Sequence, residues 1–418
     1  MSITHCGLDF GTSNSTLGIV GANGIPRLLP LEGDKVTLPS VIFFSFEDGE
    51  TYYGRQALSE YVGGAEGRIM RALKSVLGTS LINDVTRIKA RQMAFTDIVG
   101  MFLERLRERS EAALGESPSS VVVGRPVHFV DDDTKADREA QDQLEGAVRK
   151  QGFKHVEFQF EPIAAALDYE QQTTKEELAL IVDIGGGTSD FSIVRVSPDR
   201  AKAKDRQSDI LATAGVHVGG TDFDRLLSMA KAMPHLGYQT PTTDGKRILP
   251  SAPYYDLATW HRINRLYNPQ TILDLKTTRR AAKYPDRVDQ LIALIEDRQG
   301  HRLASEVEEA KIALTDAPST DFAFDSRDVA IRSHITREDL TVALENAVGR
   351  IEAKIADTLH LADLAHADIQ TLIMTGGSTQ IPAITTMLHA LFPHARFVAT
   401  DAFGSVGLGL ALDASRKF

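Results

Sequence analysis

Two aspartates each stand in front of a turn built from small and hydroxyl-bearing residues. Asp183 opens Asp-Ile-Gly-Gly-Gly-Thr-Ser-Asp-Phe (183–191), and Asp9 opens Asp-Phe-Gly-Thr-Ser-Asn-Ser (9–15). Three consecutive glycines give up much conformational entropy on folding, so the backbone there has to be bare for a reason. Backbone N–H groups without Cβ atoms in the way can approach an anion closely. Thr12, Ser13, Thr188 and Ser189 add hydroxyls beside them. A single copy is also read as a glycine-rich hairpin that merely turns. The recurrence about 170 residues later speaks for two similar lobes, since a solenoid needs much shorter periods. Two facing turns would grip a polyphosphate from both sides. Their carboxylates would hold magnesium, which keeps several waters and takes one or two carboxylates plus phosphate oxygens.

Such turns need strands to aim them. "ELALIV" (177–182) is a short apolar run of a buried strand, and "FSIVRV" (191–196) alternates, so the glycines join a hairpin. Residues 3–20 and 25–46 read as short strands, residues 55–115 as mostly helical, and 119–127 as a buried strand. Residues 131–153 form a helix with an acidic start and a glycine stop. "EPIAAALDY" (161–169) is an alanine-rich helix able to pack closely. Helical spacing returns at 303–314; 372–388 is strand, glycine turn, helix; and 402–414 is a small-residue helix.

Composition narrows the classes. The chain has 418 residues, long enough for two to three domains, and is 42% hydrophobic and 25% charged. A net charge of −11 argues against a nucleic-acid binder. No apolar run is long enough to span a membrane, and the N-terminus is too short and polar for a signal peptide. The expected location is cytoplasmic, with no membrane partner. Cys6 is the single cysteine and reads as a small buried residue, and no Cys/His spacing suits zinc.

Two common nucleotide motifs fail on residues. A P-loop needs G-x-x-x-x-G-K-[ST], and the only Gly-Lys, Gly245–Lys246, continues into Arg247. The dinucleotide fingerprint needs a final glycine where Asp190 stands. The set "GLDFGTSNS", "EPIAAALDY", "DIGGGTSDF", "VGGTDFD" and "TGGSTQIP" instead resembles the actin-like ATPases, in order from residue 7 to 382. Within them it most resembles the nucleotide-binding domain of the 70-kDa heat-shock chaperones, and among these the truncated YegD-type members.

The resemblance implies an α/β fold of two lobes, duplicated ribonuclease-H-like domains, with a nucleotide cleft between them and a hinge. Lobe I would be 1–174, with an outer subdomain at about 40–116, completed by the helix 402–418. Lobe II would be 175–401, with an outer subdomain and insertion at about 225–330. ATP or ADP with Mg2+ would be the ligands. Asp9 and Asp183 match the acids that hold magnesium through water. Gly11, Thr12 and Ser13 match the first phosphate loop; Gly185, Gly186, Gly187, Thr188 and Asp190 match the second. Lys74 matches the catalytic lysine and Glu161 the acid that orients water and metal. Gly219, Gly220, Thr221 and Asp222 match the ribose-side loop, Gly376, Gly377 and Ser378 the adenosine loop, with Asp401 near it. Lys311 and Thr315 match nucleoside contacts. Two departures stand out: Ile312 and Gln380 occupy positions where the family carries arginines, which removes stacking on the base.

The implied function is a slow Mg-dependent ATPase of chaperone type. The chain stops at Phe418, so the family's peptide-binding domain is expected to be missing. A filament-forming actin-like protein is the alternative, and a small-molecule kinase of the same fold a weaker one. From Asp222 to Lys311 the chain is about fifty residues longer than the resemblance implies. The added stretch, residues 231–300, carries Trp260, Tyr254, Tyr255, Tyr267, Arg262 and Arg265. It is either a docking surface for clients or co-chaperones or the small core of an enlarged outer subdomain.

Overall fold

The computed structural model describes residues 5–79, 82, 84–130, 133–203, 205–399 and 404–418. In its first half, His5–Phe10 (β1) and Asn14–Val20 (β2) form the first hairpin, followed by Pro26–Leu28 (β3) and Thr37–Pro39 (β4). β2 is antiparallel to β1, β3 and β4. Val41–Ser45 (β5), Thr51–Tyr53 (β6) and Gly67–Arg71 (β7) make a small outer sheet with the helix Gly54–Val62 (α1) against it. Val85–Ile88 (β8) and Arg91–Ala94 (β9) form a hairpin before the helix Phe95–Leu114 (α2). Ser120–Arg125 (β10) and His155–Phe160 (β11) extend the main sheet in parallel beyond β1, with Thr134–Lys150 (α3) crossing between them. Asp133 caps α3 by accepting from the N–H groups of Lys135 and Ala136.

The expectation that 55–115 is mostly helical is corrected: α1 and α2 flank a stretch holding β7, a 3-10 turn and β8–β9. Gly63 and Gly64, the latter at φ +96°, end α1 early. The strands beyond are too short for alternation to show.

The second half repeats the plan. Glu161–Glu170 (α4) leads into Glu177–Ile184 (β12) and Ser189–Val196 (β13), an antiparallel hairpin pairing Asp183 with Asp190. Ile210–Val216 (β14) continues antiparallel; after the helices Gly220–Lys231 (α5), Ala252–Ala258 (α6), Pro269–Ala281 (α7), Pro285–Glu296 (α8) and Gly300–Asp316 (α9) comes the hairpin of Ser319–Ser326 (β15) and Val329–Thr336 (β16). The long helix Arg337–Leu361 (α10) follows, then Thr371–Thr375 (β17), Pro382–Leu391 (α11), Arg396–Ala399 (β18) and Ser405–Lys417 (α12).

The two main sheets share one topology. The first runs β11-β10-β1-β2-β3 and the second β18-β17-β12-β13-β14. In each, a hairpin is flanked by an antiparallel strand on one side and two parallel strands on the other. The echo between residues 9 and 183 is therefore a structural duplication. α4 and α12 lie between the sheets in one apolar cluster with residues of both, including Val122 and Ile181. Ala164, Ala165 and Ala166 are fully buried there, which fits the close packing their size allows.

The segment 231–300 is folded, and its apolar residues join the main core of the second half. Leu249, Tyr254, Leu257, Ile263, Leu266 and Leu275 belong to the same cluster as Phe223 and Leu314. Tyr254 is buried, Trp260 and Tyr267 are half-buried, and Tyr255 is exposed. Among the described residues no helix is long and apolar enough to cross a membrane.

Candidate functional site

The tips of the two hairpins face each other across a cleft. The register of β1 on β2 (Phe10 opposite Ser15) leaves Gly11–Asn14 as one tip; that of β12 on β13 (Ile184 opposite Ser189) leaves Gly185–Thr188 as the other. A Cβ added at Gly186 would lie 2.2 Å from Ser13 Oγ, so any larger residue there would have to push the Ser13 hydroxyl aside. Across the second loop, the Gly185 and Gly186 carbonyls accept from the N–H groups of Gly220 and Thr221, at 2.9 and 2.7 Å. Gly376 adopts φ +81°, and a Cβ there would meet the Ile184 carbonyl at 2.3 Å. The contacts at Gly186 and Gly376 favour glycine in two of the sequence motifs.

Between the tips lies a cavity of about 810 Å³. Its walls include Asp9, Gly11, Thr12 and Ser13 from the first hairpin and Asp183, Gly185, Gly186, Gly187, Thr188 and Asp190 from the second. Lys74 and Glu161 complete the floor, with Gly220, Thr221, Lys311, Thr315, Gly376, Gly377 and Ser378 further along. The sequence reading thus brought together residues more than 360 positions apart. Asp401 lies outside the described residues.

Lys74 reaches the floor from a short 3-10 turn, Leu73–Val76, entered through Ala72 in the left-handed region at φ 56°. Ala72 is where the chain leaves β7, so Arg71 and Lys74 both reach the cavity. Lys74 is 8% exposed and forms an ion pair with Glu161. Burial alone would lower its pKa, but Glu161, Asp9 and Asp183 outweigh that and raise it, so it is a cation at any ordinary pH. Glu161 starts α4 directly after β11.

The acids carry the opposite signature. Desolvation pushes Asp183 up to about 8, and the negative charges of Asp190, Glu161 and Asp9 add to the shift. Asp9 is also raised, by desolvation and then by Glu161, with Lys74 opposing. Asp190 accepts from the Thr188 hydroxyl at 3.0 Å. Four carboxylates thus share the floor with one lysine, an excess of negative charge that a divalent cation would offset. Among the described residues no three acids or histidines converge into a closed ligand set. Asp9 and Asp183, both at the cavity, fit magnesium, which takes one or two carboxylates and fills most of its positions with water and phosphate oxygens.

Two residues of the ribose-side motif fall elsewhere. Gly219 packs its backbone on Gly186 and Gly187 but does not line the cavity. Asp222 is at the third position of α5, where its carboxylate accepts the Gly219 N–H at 3.2 Å and pairs with Arg225. It caps the helix. The acid that faces the cavity is Asp224, which the sequence reading missed. Asp224 Oδ1 lies 2.6 Å from Lys311 Nζ, and burial raises its pKa against the pull of Lys311. Helical spacing was the available signal: Asp224 follows Gly220 by one turn. Arg71, Glu308 and Trp260 also line the cavity and were not singled out for it; no motif marks them. Ile312 and Gln380 both face the cavity, and Ile312 is 56% exposed there.

Two related α/β halves around such a cleft define the fold class of the actin-like ATPases. Within that class the chain belongs to the Hsp70 family: a family model described as "Hsp70 protein" matches residues 5–233 and 286–415. It is 26% identical to "Chaperone protein DnaK" of Thermotoga neapolitana over 98% of this chain and 59% of that protein. It is 25% identical to "Chaperone protein HscA homolog" of Aromatoleum aromaticum, covering 98% and 57%. "Heat shock protein SSC3, mitochondrial" of Saccharomyces cerevisiae is also 25% identical, covering 98% and 58%. The chain spans about three fifths of the length of these curated relatives. Residues 234–285 fall between the two matched stretches.

Proposed function

We propose that this chain binds ATP and ADP with magnesium in the cleft and hydrolyses ATP slowly, as the nucleotide-binding part of a chaperone system. The observation that carries the reading is the meeting of both hairpin tips with Lys74, Glu161, Asp9 and Asp183 in one cavity. Bound magnesium would neutralise phosphate oxygens. The backbone of Gly185–Thr188 and the hydroxyls of Thr12 and Ser13 would hold the phosphates. Lys74 would offset negative charge that develops on the transferred phosphoryl group, a preorganised electrostatic effect. Glu161 fixes the lysine, and Asp190, tied to Thr188, would orient the attacking water. Lys311, Thr315 and the 376–378 loop would hold the nucleoside. With Ile312 and Gln380 in place of guanidinium groups, base stacking is weak, so affinity for adenine nucleotides is modest.

The domain division read from the sequence, lobe I closed by the last helix and lobe II beginning near residue 175, belongs to the same proposal. It is supported by the packing of α12 on β1, β2 and α4. Closure of the lobes on nucleotide would be the output, read by client proteins or co-chaperones of the kind Hsp70 proteins serve. A cytoplasmic setting goes with it. Calorimetric titration with ADP and magnesium, followed by steady-state phosphate release from ATP, tests the reading. Saturable binding that needs magnesium is expected. No binding at millimolar nucleotide would refute it.

A further inference from the structure

Two opposite charges in the cavity have no partner. Arg71, at the end of β7, is half-buried and lines the cavity from the first half. Glu308, on α9, is half-buried and lines it from the second. Among the described residues neither takes part in a hydrogen bond or an ion pair. They act on each other only through space: burial lowers the Arg71 pKa, and Glu308 and then Asp224 pull it back up. Asp224 already holds Lys311 at 2.6 Å, so Glu308 is the acid left over. A guanidinium stays charged at any ordinary pH, and charges taken out of water are expected to be paired. Here they line one cavity from opposite halves and do not meet.

The surroundings define what fits between them. Ser305, Glu308, Ile312 and Thr315 recur at helical spacing along α9, and all line the cavity. From Ser305 to Thr315 that wall is about 15 Å long. The proposed nucleoside contacts, Lys311 and Thr315, sit at its far end. Near the other end stands Trp260, in the 3-10 stretch Trp260–Leu266. Its ring is 4.8 Å from that of His301, which lies one turn before Ser305. The Arg71 guanidinium is 4.5 Å from the Trp260 ring centroid, a contact that uses none of its N–H donors. Leu58, on α1, adds an apolar side chain to the same cavity. At about 810 Å³ the cavity is near the top of the range usual for one ligand, which leaves this end for a second, small one.

Charge sorts the candidates. An anion would pair with Arg71 but meet Glu308, in a cleft whose floor already carries an excess of carboxylates. A cation would do the reverse. An apolar molecule would leave both charges out of water and unpaired. A molecule with a carboxylate and an ammonium satisfies both and adds no net charge. We propose that this end of the cleft binds a free α-amino acid, its carboxylate on Arg71, its ammonium on Glu308 and an apolar side chain against Trp260 and Leu58. Arg71 suits the first role because its planar fork matches a carboxylate. The Ser305 hydroxyl, one turn from Glu308, is a further acceptor for the ammonium. Nothing in this site depends on whether nucleotide also binds.

Calorimetric titration of the full chain with L-leucine, without nucleotide, is the test. Two analogues keep the side chain and lose one charge each: isocaproate lacks the ammonium and isoamylamine the carboxylate. Saturable binding of leucine in the millimolar range is expected. Each analogue should bind about tenfold more weakly or worse, since it forfeits a charge-assisted contact. Arg71→Gln and Glu308→Gln, checked for folding by thermal melts, should each weaken leucine by a similar factor. Glu308→Gln should leave isocaproate binding as it is, and Arg71→Gln should do the same for isoamylamine, because each pair shares one lost contact. Absence of saturable leucine binding in the wild-type chain overturns the proposal. So does equal binding of leucine and either analogue, or wild-type leucine affinity in either variant. If Arg71→Gln does not fold, Glu308→Gln and the two analogues decide. A separate titration that finds no ADP binding overturns the nucleotide reading and leaves this one standing.

Discussion

Replacing Lys74 by methionine keeps most of the side-chain volume and removes the one cation that, among the described residues, pairs with the acids of the cleft floor. Two consequences separate. The first is chemical. A preorganised charged or hydrogen-bonding group lost from a site of this kind costs about 3–4 kcal/mol in the transition state, a fall of about 10²–10³ in turnover. The second is structural. Glu161 is left without its partner beside Asp9 and Asp183, and breaking a buried ion pair costs about 3–5 kcal/mol. Here the loss falls below that range, because Glu161 is 17% exposed to the cleft and keeps part of its solvation there. Lys74→Met is therefore expected to melt somewhat lower and to hydrolyse ATP at least a hundredfold more slowly, while still binding nucleotide. The double variant Lys74→Met/Glu161→Gln removes the stranded charge. It should regain the melting temperature and not the turnover. Single-turnover phosphate release and thermal melts at pH 7 give both readings. Wild-type turnover in Lys74→Met refutes the assignment. Recovery of turnover in the double variant refutes it too, since the lysine would then serve only to offset Glu161.

Three further outcomes follow from the same geometry. Asp183 has a folded-state pKa raised to about 8 from 3.8, so in metal-free protein its contribution to stability is full below pH 4 and is lost as pH rises through 8. Asp183→Asn should therefore raise the melting temperature in chelator more at pH 8 than at pH 5, and should abolish the stabilisation by magnesium and ATP; equal effects at the two pH values would contradict it. His301 is the opposite case: burial lowers its pKa from 6.5 to about 4, so the neutral ring's contribution is present above pH 6.5 and is lost as pH falls through 4. At about 1.4 kcal/mol per unit this amounts to roughly 3 kcal/mol at most, and melts of His301→Gln against wild type should converge between pH 6.5 and 4. Gly186→Ala places a methyl group 2.2 Å from Ser13 Oγ, so the Ser13 hydroxyl must swing aside and nucleotide affinity should fall several-fold by calorimetry, whereas Gly187→Ala, with open space at its Cβ, should keep more of it.

The cleft was legible because its constraints are local. A backbone that must pass within van der Waals contact of another loop accepts only glycine, and a turn that faces phosphate needs hydroxyls. Both leave short, ordered marks at residues 9–13, 183–190 and 376–378. Asp222 shows where the reading reached its limit. "GGTDFD" offers two acids two residues apart, and which one faces the ligand depends on where α5 begins. With Gly219 as the cap, Asp222 is spent on the helix N-terminus, and Asp224, one turn after Gly220, faces the cavity. The strands between α1 and α2 escaped for a different reason. β7, β8 and β9 have four or five residues each, too few for a period of two to stand out against helix-forming neighbours.

The mouth of the cleft left no mark at all, and the reason is general. Tyr61, Arg71, Trp260, Asn264 and His301 come from four elements, and their pairing is set by how two lobes sit together, not by any local spacing. A sequence reading could find that 231–300 held aromatics and arginines, and could offer docking or core as explanations. The structure divides the segment between uses. Tyr254, Leu257, Ile263 and Leu266 fill a core, which is what keeps an addition of this size folded. Trp260 and Asn264 project from that folded base towards the other lobe. On the proposed nucleotide reading, Ile312 and Gln380 at the cavity leave the base without a guanidinium to stack on. Ile312→Arg should then tighten ADP binding several-fold by calorimetry, since a guanidinium over the base adds a stacking contact, and unchanged affinity would refute that account.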